Sequence, residues 1–235
     1  MSFQLLGLLA LSVLQTGRLV PESLLEAARA NPYTFVHLLS QTGVPAGLEL
    51  READRPRRGD FRPQWQPEAL AKQDSISLDV VLAEFNKTQR TYRAEFVDGV
   101  VNVRPAERRA TYLDSSAVTG TIRERGLMNV AGRLFEPLSP AIQSASGGRI
   151  SVLPSPLGVD IDRGENIDIG LEVTGKTVVR LLNELVGKTT HQAWLVVTSE
   201  MDSSQLPSPR IVRFGFIHQH WTTTERPTQP AGASR

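Results

Sequence analysis

The chain has 235 residues, and its 26 lysines and arginines against 25 aspartates and glutamates give a formal net charge of +1. A charge so close to zero offers no electrostatic basis for binding a polyanion, so we expect no nucleic-acid partner. The absence of cysteine excludes disulfides, thiolate zinc sites and cysteine nucleophiles, while 40% apolar and 22% charged residues are typical of a globular protein.

The N-terminus carries an apolar segment without charge, Phe3 to Leu14. It is shorter than the roughly 20 residues of a membrane-spanning helix, so we expect no integral membrane segment in the mature chain. Its length suits the apolar region of a secretory signal, although no Ala-x-Ala cleavage pattern follows closely. Residues 1–20 are therefore interpreted either as an irregular export signal of a periplasmic or secreted protein, or as an N-terminal core helix of a cytoplasmic one.

Residues 21–105 are predicted to form a first α+β unit. Phe35, Leu38 and Leu39 form a short helical stripe near its start. Residues 51–67, which include five arginines and are rich in proline, are predicted to be an exposed loop or linker.

A second helix of this unit is predicted from four apolar residues at i, i+3, i+4 and i+7, which lie on one helix face. They are Leu78, Val81, Leu82 and Phe85. Ser77 precedes them, where a hydroxyl can accept a hydrogen bond from the first helical turn. Two strands, Tyr92 to Phe96 and Val100 to Val103, are then predicted to form a hairpin, because the intervening Asp98-Gly99 favours a tight turn.

Residues 106–221 are predicted to form a second α+β unit that repeats this pattern one hundred residues later. Its apolar helix stripe is Val178, Leu181, Leu182 and Leu185. Thr177 precedes the stripe, as Ser77 precedes the first one, and an alternating strand from Ile167 to Val173 comes before it. Ala193 to Val197 and Ile211 to Ile217 are predicted to be the two strands that follow.

The fold class is accordingly predicted to be α+β, with two related strand-helix-strand-strand units that pack their helices on small sheets. A further helix is expected near Gly126 to Phe135. Residues 222–235 contain no apolar side chain larger than proline or alanine, so we expect them to form a disordered tail.

One segment resembles a known family. Ile76 to Pro105 is similar to the short N-terminal domain of bacterial secretins and TonB-dependent receptors, the STN domain. The shared features are a strand leading into a helix with a leucine-rich face, an aromatic residue on the next strand, an Asp-Gly turn and a valine-rich strand. Lys176 to Val197 is similar over its helix and aromatic strand, with Trp194 placed like Tyr92. The resemblance implies an envelope module that binds other proteins.

Candidate chemical sites are scarce, and we assign no catalytic residue, metal ligand or cofactor. His218 and His220 would share one face of a strand at a spacing that zinc can use, but no third ligand is near in sequence. His191 is isolated, and His37 is interpreted as a helical face residue. The four carboxylates between Asp160 and Asp168 do not match a calcium loop, because position twelve would be Leu171.

The arginine-rich loop also contains an adhesion-like tripeptide, Arg58-Gly59-Asp60, which we interpret as solvated. Its five arginines could form a local patch for an anion, although the near-neutral chain disfavours one. They are Arg51, Arg55, Arg57, Arg58 and Arg62.

The predicted function is that of a non-catalytic, exported protein-interaction module of the bacterial envelope, with a protein partner of unknown identity and an unknown binding site. One alternative is a hydrolase or lyase whose site is assembled from scattered residues such as His191, His218, His220 and Asp160. Another is a cytosolic structural protein. An enzyme would bring those side chains into one deep pocket, whereas a binding module would present an open sheet edge or an apolar patch.

Overall fold

A computed structural model describes residues 17–54, 74–107, 112–114, 120–135, 150–154, 168–188, 193–199 and 210–217. The helices in these ranges are α1 (Ser23–Ala30), α2 (Pro32–Gln41), α3 (Leu78–Thr88), α4 (Leu127–Phe135) and α5 (Val178–Lys188). The strands are β1 (Leu19–Pro21), β2 (Ala46–Arg51), β3 (Ser75–Ser77), β4 (Tyr92–Val97), β5 (Val100–Pro105), β6 (Thr121–Arg125), β7 (Ile150–Pro154), β8 (Asp168–Glu172), β9 (Ala193–Ser199) and β10 (Arg210–Ile217). The chain is an α+β protein.

The predicted helices and hairpins are present where the local sequence signals placed them. The stripes at 78–85 and 178–185 form α3 and α5, with their apolar residues buried. Ser77 caps α3 by accepting a hydrogen bond from the Asp79 amide. Asp98 and Gly99 both have positive φ, as the tight turn between β4 and β5 requires. The apolar segment at Phe3 to Leu14 and the tail 222–235 lie outside the described residues.

The repeated unit is longer than the strand-helix-strand-strand pattern of the sequence. In the first half, β1 pairs antiparallel with β3, β2 pairs parallel with β5, and β4 pairs antiparallel with β5. In the second half, β6 pairs antiparallel with β8, β7 pairs parallel with β10, and β9 pairs antiparallel with β10. The first half is therefore a β-α-α-β-β-α-β-β unit, and the described part of the second half is a β-α-β-β-α-β-β unit. The early helix stripe at Phe35 belongs to α2 of the first unit.

A parallel pairing between β2 and β9 joins the two units into one six-stranded sheet of order β4-β5-β2-β9-β10-β7. β2, β5 and β9 run in one direction, while β4, β10 and β7 run in the other. The second strand of one unit thus pairs with the fourth strand of the other. Because both units keep the same strand order but run in opposite directions, they are related by a half turn about an axis across the strands together with a translation along that axis.

The helices of the two units cover opposite faces of this sheet. Ala193, Leu195 and Val197 of β9 belong to the apolar core that contains α1, α2 and α3. Trp194 and Val196 of the same strand belong to a second core with α4 and α5. All five side chains are buried because β9 lies between two helix layers.

The two units are in close contact at Gly47 of β2. A Cβ atom built on Gly47 would lie 1.9 Å from Cε2 of Trp194, which is fully buried. The indole ring therefore lies directly on the backbone of β2, and only glycine leaves room for it.

We predict that Gly47→Ala lowers the free energy of unfolding by about 3 kcal/mol, since the buried indole cannot move aside without disturbing the core. Denaturant unfolding of the two proteins measures the difference. The double variant Gly47→Ala with Trp194→Leu should lose less stability than the sum of its single variants, because the clash is removed.

Gly170 of β8 provides a matched control. A Cβ atom there would meet nothing within 4 Å, so Gly170→Ala should change the free energy of unfolding by less than about 0.5 kcal/mol. Equal stability of Gly47→Ala and the parent protein would contradict the close contact.

Candidate functional site

The edges of the six-stranded sheet are the surfaces on which an interaction site can be built. An edge strand presents backbone N–H and C=O groups that another strand can pair with. One such edge-to-edge contact is present inside the chain, where β2 of the first unit pairs with β9 of the second. The outer edges of the sheet are β4 and β7.

The internal junction shows what a complete pairing of this kind contains. Six residue pairs connect the strands, from Ala46 with Ala193 to Arg51 with Thr198. The indole of Trp194 lies over Gly47 and donates through Nε1 to Oδ1 of Asn183 on α5, at 2.9 Å. This bond satisfies the polar atom of a fully buried side chain and fixes the orientation of the ring.

A buried ionic cluster lies on the same face of β2 and β5. Arg104 Nε is 2.8 Å from Glu49 Oε2, and both side chains are less than a tenth exposed. The same guanidinium donates to both carboxylate oxygens of Asp114, at 2.7 and 2.9 Å. Burial acts to lower the pKa of Arg104, but the hydrogen bonds to Asp114 and the charge of Glu49 raise it above its ordinary value. The cluster ties the segment after β5 to the sheet.

The β4 edge is closed at its centre by a side chain. The amide of Asn86, near the C-terminal end of α3, accepts from the Ala94 N–H at 2.8 Å and donates to the Ala94 carbonyl at 2.9 Å. These are the two hydrogen bonds that a neighbouring strand would make to Ala94. Arg93 Nη1 donates to the Asn86 carbonyl at 2.7 Å and holds this end of the helix against the strand. We call this arrangement the Asn86 clip.

The outer part of β4 is exposed and mixed in character. Phe96 and Val97 are each 37% exposed. Arg93 and Glu95 are exposed at the positions that alternate with the buried Tyr92 and Ala94, and the Arg93 guanidinium reaches round the edge to α3. Charged residues on an edge strand hinder pairing with other chains. The β4 edge therefore combines a small apolar surface with two features that disfavour strand addition.

The β7 edge differs from β4. Within the described part of the chain, β7 pairs with β10 and with no other strand. In the topology of its unit, β7 corresponds to β2, because each pairs parallel with the last strand of its unit. The edge that β2 offers to β9 therefore has a counterpart at β7 that no described strand occupies.

Two side chains on α2, His37 and Tyr33, have shifted pKa values. His37 on α2 stacks on Tyr33 with ring centroids 6.2 Å apart, and burial lowers the pKa of His37 to about 4. Burial raises the pKa of Tyr33 to about 12. Both groups are therefore neutral near pH 7, and the position of His37 on a helix face agrees with the sequence interpretation.

The structure describes few of the other residues weighed from the sequence. His191, His218, His220, Asp160 and the Arg58-Gly59-Asp60 tripeptide lie outside the described residues. Asp168 is exposed at the start of β8. Arg51 bonds Asp54 at 2.6 Å and lies over the Tyr92 ring, so it is part of the sheet's own packing.

The described residues contain neither a metal-binding cluster nor a membrane-spanning helix. They hold no group of three or more histidines, aspartates or glutamates that could bind a metal ion. No helix among them is long and apolar enough to cross a membrane.

The residues that shape the sheet edges were not predicted from the sequence. Glu49 and Arg104 had a visible signal, since each is a charged residue within a strand of mostly apolar side chains. Gly47 and Asn86 had none, because each acts through a contact with a distant strand that no local spacing reveals.

Comparison of the chain with protein-family models, with curated proteins and with solved structures found no match. The resemblance to the STN domain therefore stays a prediction.

We predict that Asn86→Ala speeds hydrogen exchange of the Ala94 amide by about tenfold, because the substitution removes the acceptor of that N–H and leaves the N–H open to water. The free energy of unfolding should fall by about 1 kcal/mol, as two hydrogen bonds are lost and some helix propensity is gained. NMR-detected exchange and denaturant unfolding measure both effects.

Asn129→Ala on α4 is the matched control, because Asn129 donates to the Arg125 carbonyl of the other unit. It should leave Ala94 exchange unchanged. If Ala94 exchanges equally slowly in Asn86→Ala and the parent, the clip does not protect the β4 edge.

Proposed function

We propose that this chain is a non-catalytic protein-interaction module of the bacterial envelope, related to the STN domain, that binds its partner by adding a strand to the β7 edge. The observation that carries the proposal is the β2·β9 pairing, in which units of this fold bind each other edge to edge. A docking mode already used inside the chain needs no new geometry at β7.

The partner strand is defined by the internal example. β9 enters beside β2 in the parallel direction and buries side chains on both faces, from Ala193 to Val197. Backbone hydrogen bonds give such a contact affinity, and the side chains on the two faces give it specificity. We therefore propose that the partner offers an extended apolar segment that lies parallel to β7.

The test is hydrogen exchange on the full chain with a partner captured from the envelope fraction of the source cells. Binding should slow exchange of the Ile150 to Leu153 amides at least tenfold and leave β4 unchanged. Asn86→Ala, which opens β4, should bind the partner with the same affinity, and so should Phe96→Ser. Protection confined to β4 or to the helix layers, or a loss of affinity in Phe96→Ser, would refute docking at β7.

Export has a separate test. The envelope proposal implies that the segment Phe3 to Leu14 is removed, whereas Val20 of β1 and Leu24 of α1 are buried in the first core. Mass spectrometry of the mature chain from the source cells should therefore show a cut between Leu14 and Leu19. An intact N-terminus on protein recovered from the cytosol would refute export while leaving the edge proposal standing.

A further inference from the structure

The outer edges of the sheet are the same two kinds of edge that meet in the internal junction. The junction pairs the second strand of one unit, β2, with the fourth strand of the other, β9. The outer edges are β7, a second strand, and β4, a fourth strand. Since β4 and β7 run in the same direction, a second copy placed end to end would present its β4 to β7 in parallel, as β9 lies beside β2.

The two fourth strands can be compared position by position. Tyr92 of β4 and Trp194 of β9 both face the helices of their own unit, and each pairs with the corresponding part of the last strand. On this alignment Arg93 takes the place of Leu195, and Glu95 takes the place of Val197.

The positions at which β4 has charged residues are positions at which β9 has apolar residues, and the β2·β9 junction buries those apolar side chains. Leu195 and Val197 are buried in the core of the opposite unit, under its helices. Arg93 and Glu95 would be placed under the helices of a second copy if β4 paired with β7. Burying two charged side chains there costs free energy that strand pairing would have to offset.

The helices differ at the matching position as well. The hundred-residue repeat aligns Asn86 of α3 with Val186 of α5. Asn86 occupies the backbone groups of Ala94, whereas Val186 packs in the second core and leaves the edge of β9 to β2. The polar clip is present where the edge is outward and absent where the edge is paired.

We propose that Asn86, Arg93 and Glu95 prevent the chain from binding a second copy of itself through β4. These three residues stop the edge pairing that joins the units from continuing between molecules, where it would build an open head-to-tail array. They also leave the β7 edge available to a different partner, an inference that rests on the proposed function.

The experiment gives β4 the chemistry of β9 in the full chain. The variant Asn86→Val, Arg93→Leu, Glu95→Val should form dimers and larger oligomers with rising concentration, and the parent should remain a monomer. Sedimentation velocity measures the masses, and circular dichroism checks that both proteins are folded. The matched control is Glu26→Val, Arg29→Leu, Lys87→Val, which adds similar apolar side chains on exposed positions of α1 and α3 and should remain a monomer.

Disulfide trapping tests which edges meet, and the chain has no cysteine of its own to interfere. The register of the junction, Ala46 with Ala193, corresponds to Val152 with Thr91 of a second copy. In the triple variant, mixed Val152→Cys and Thr91→Cys chains should cross-link, since paired strands place their Cα atoms within disulfide range. Val97→Cys, six residues along β4, should not cross-link with Val152→Cys.

A folded triple variant that stays monomeric would overturn the proposal, as would a parent or control protein that oligomerises equally. Oligomers of the triple variant without the Val152–Thr91 cross-link would show that β4 was guarded but that β7 is not the opposing edge, which contradicts the head-to-tail arrangement. If Asn86→Val prevents folding, Arg93→Leu with Glu95→Val carries the test, and a folded monomer at millimolar concentration refutes the proposal as well. Failure of the partner experiment alone leaves self-exclusion intact.

Discussion

The architecture depends on the pairing of β2 with β9. That contact turns two three-stranded sheets into one and places β9 between two helix layers. It is possible because Gly47 lets the Trp194 indole lie on the backbone of β2, where any Cβ atom would collide with the ring. Each unit thereby supplies part of the other's core, and the two cannot be regarded as separate globules.

Polar groups are concentrated beside this contact. Glu49, Arg104 and Asn183 are buried and all lie where the second unit's helix layer covers the sheet of the first. Replacing Arg104 would remove the cation beside the buried Glu49 carboxylate, and replacing Asn183 would remove the acceptor of the Trp194 N–H. These bonds therefore make the packing specific as well as stable. These polar bonds lie within the units, between β2 and β5 in the first and between β9 and α5 in the second. The register of β2 against β9 is held instead by the backbone pairing and by the Trp194 indole over Gly47.

Local signals were sufficient for several elements, but they did not predict α1, β6 or β7, and they did not predict the assembly. The stripes of α3 and α5, the Ser77 cap and the Asp98-Gly99 turn act over a few residues, and each was predicted correctly. The parallel pairing of β2 with β9 joins residues about 150 positions apart, so no short turn in the sequence indicates it. One signal was present: β9 is apolar at five consecutive positions, Ala193 to Val197, which is typical of a strand buried on both faces, whereas β4 alternates.

The shared core also constrains how the chain acquires its fold during synthesis. The core of the first unit includes Ala193, Leu195 and Val197, so β2 emerges from the ribosome long before the strand that covers its edge. Until β9 arrives, the nascent first half exposes an unpaired strand edge and an incomplete apolar face, the features that bind chaperones and invite aggregation. The core of the first unit is therefore complete only after the second half has been synthesised.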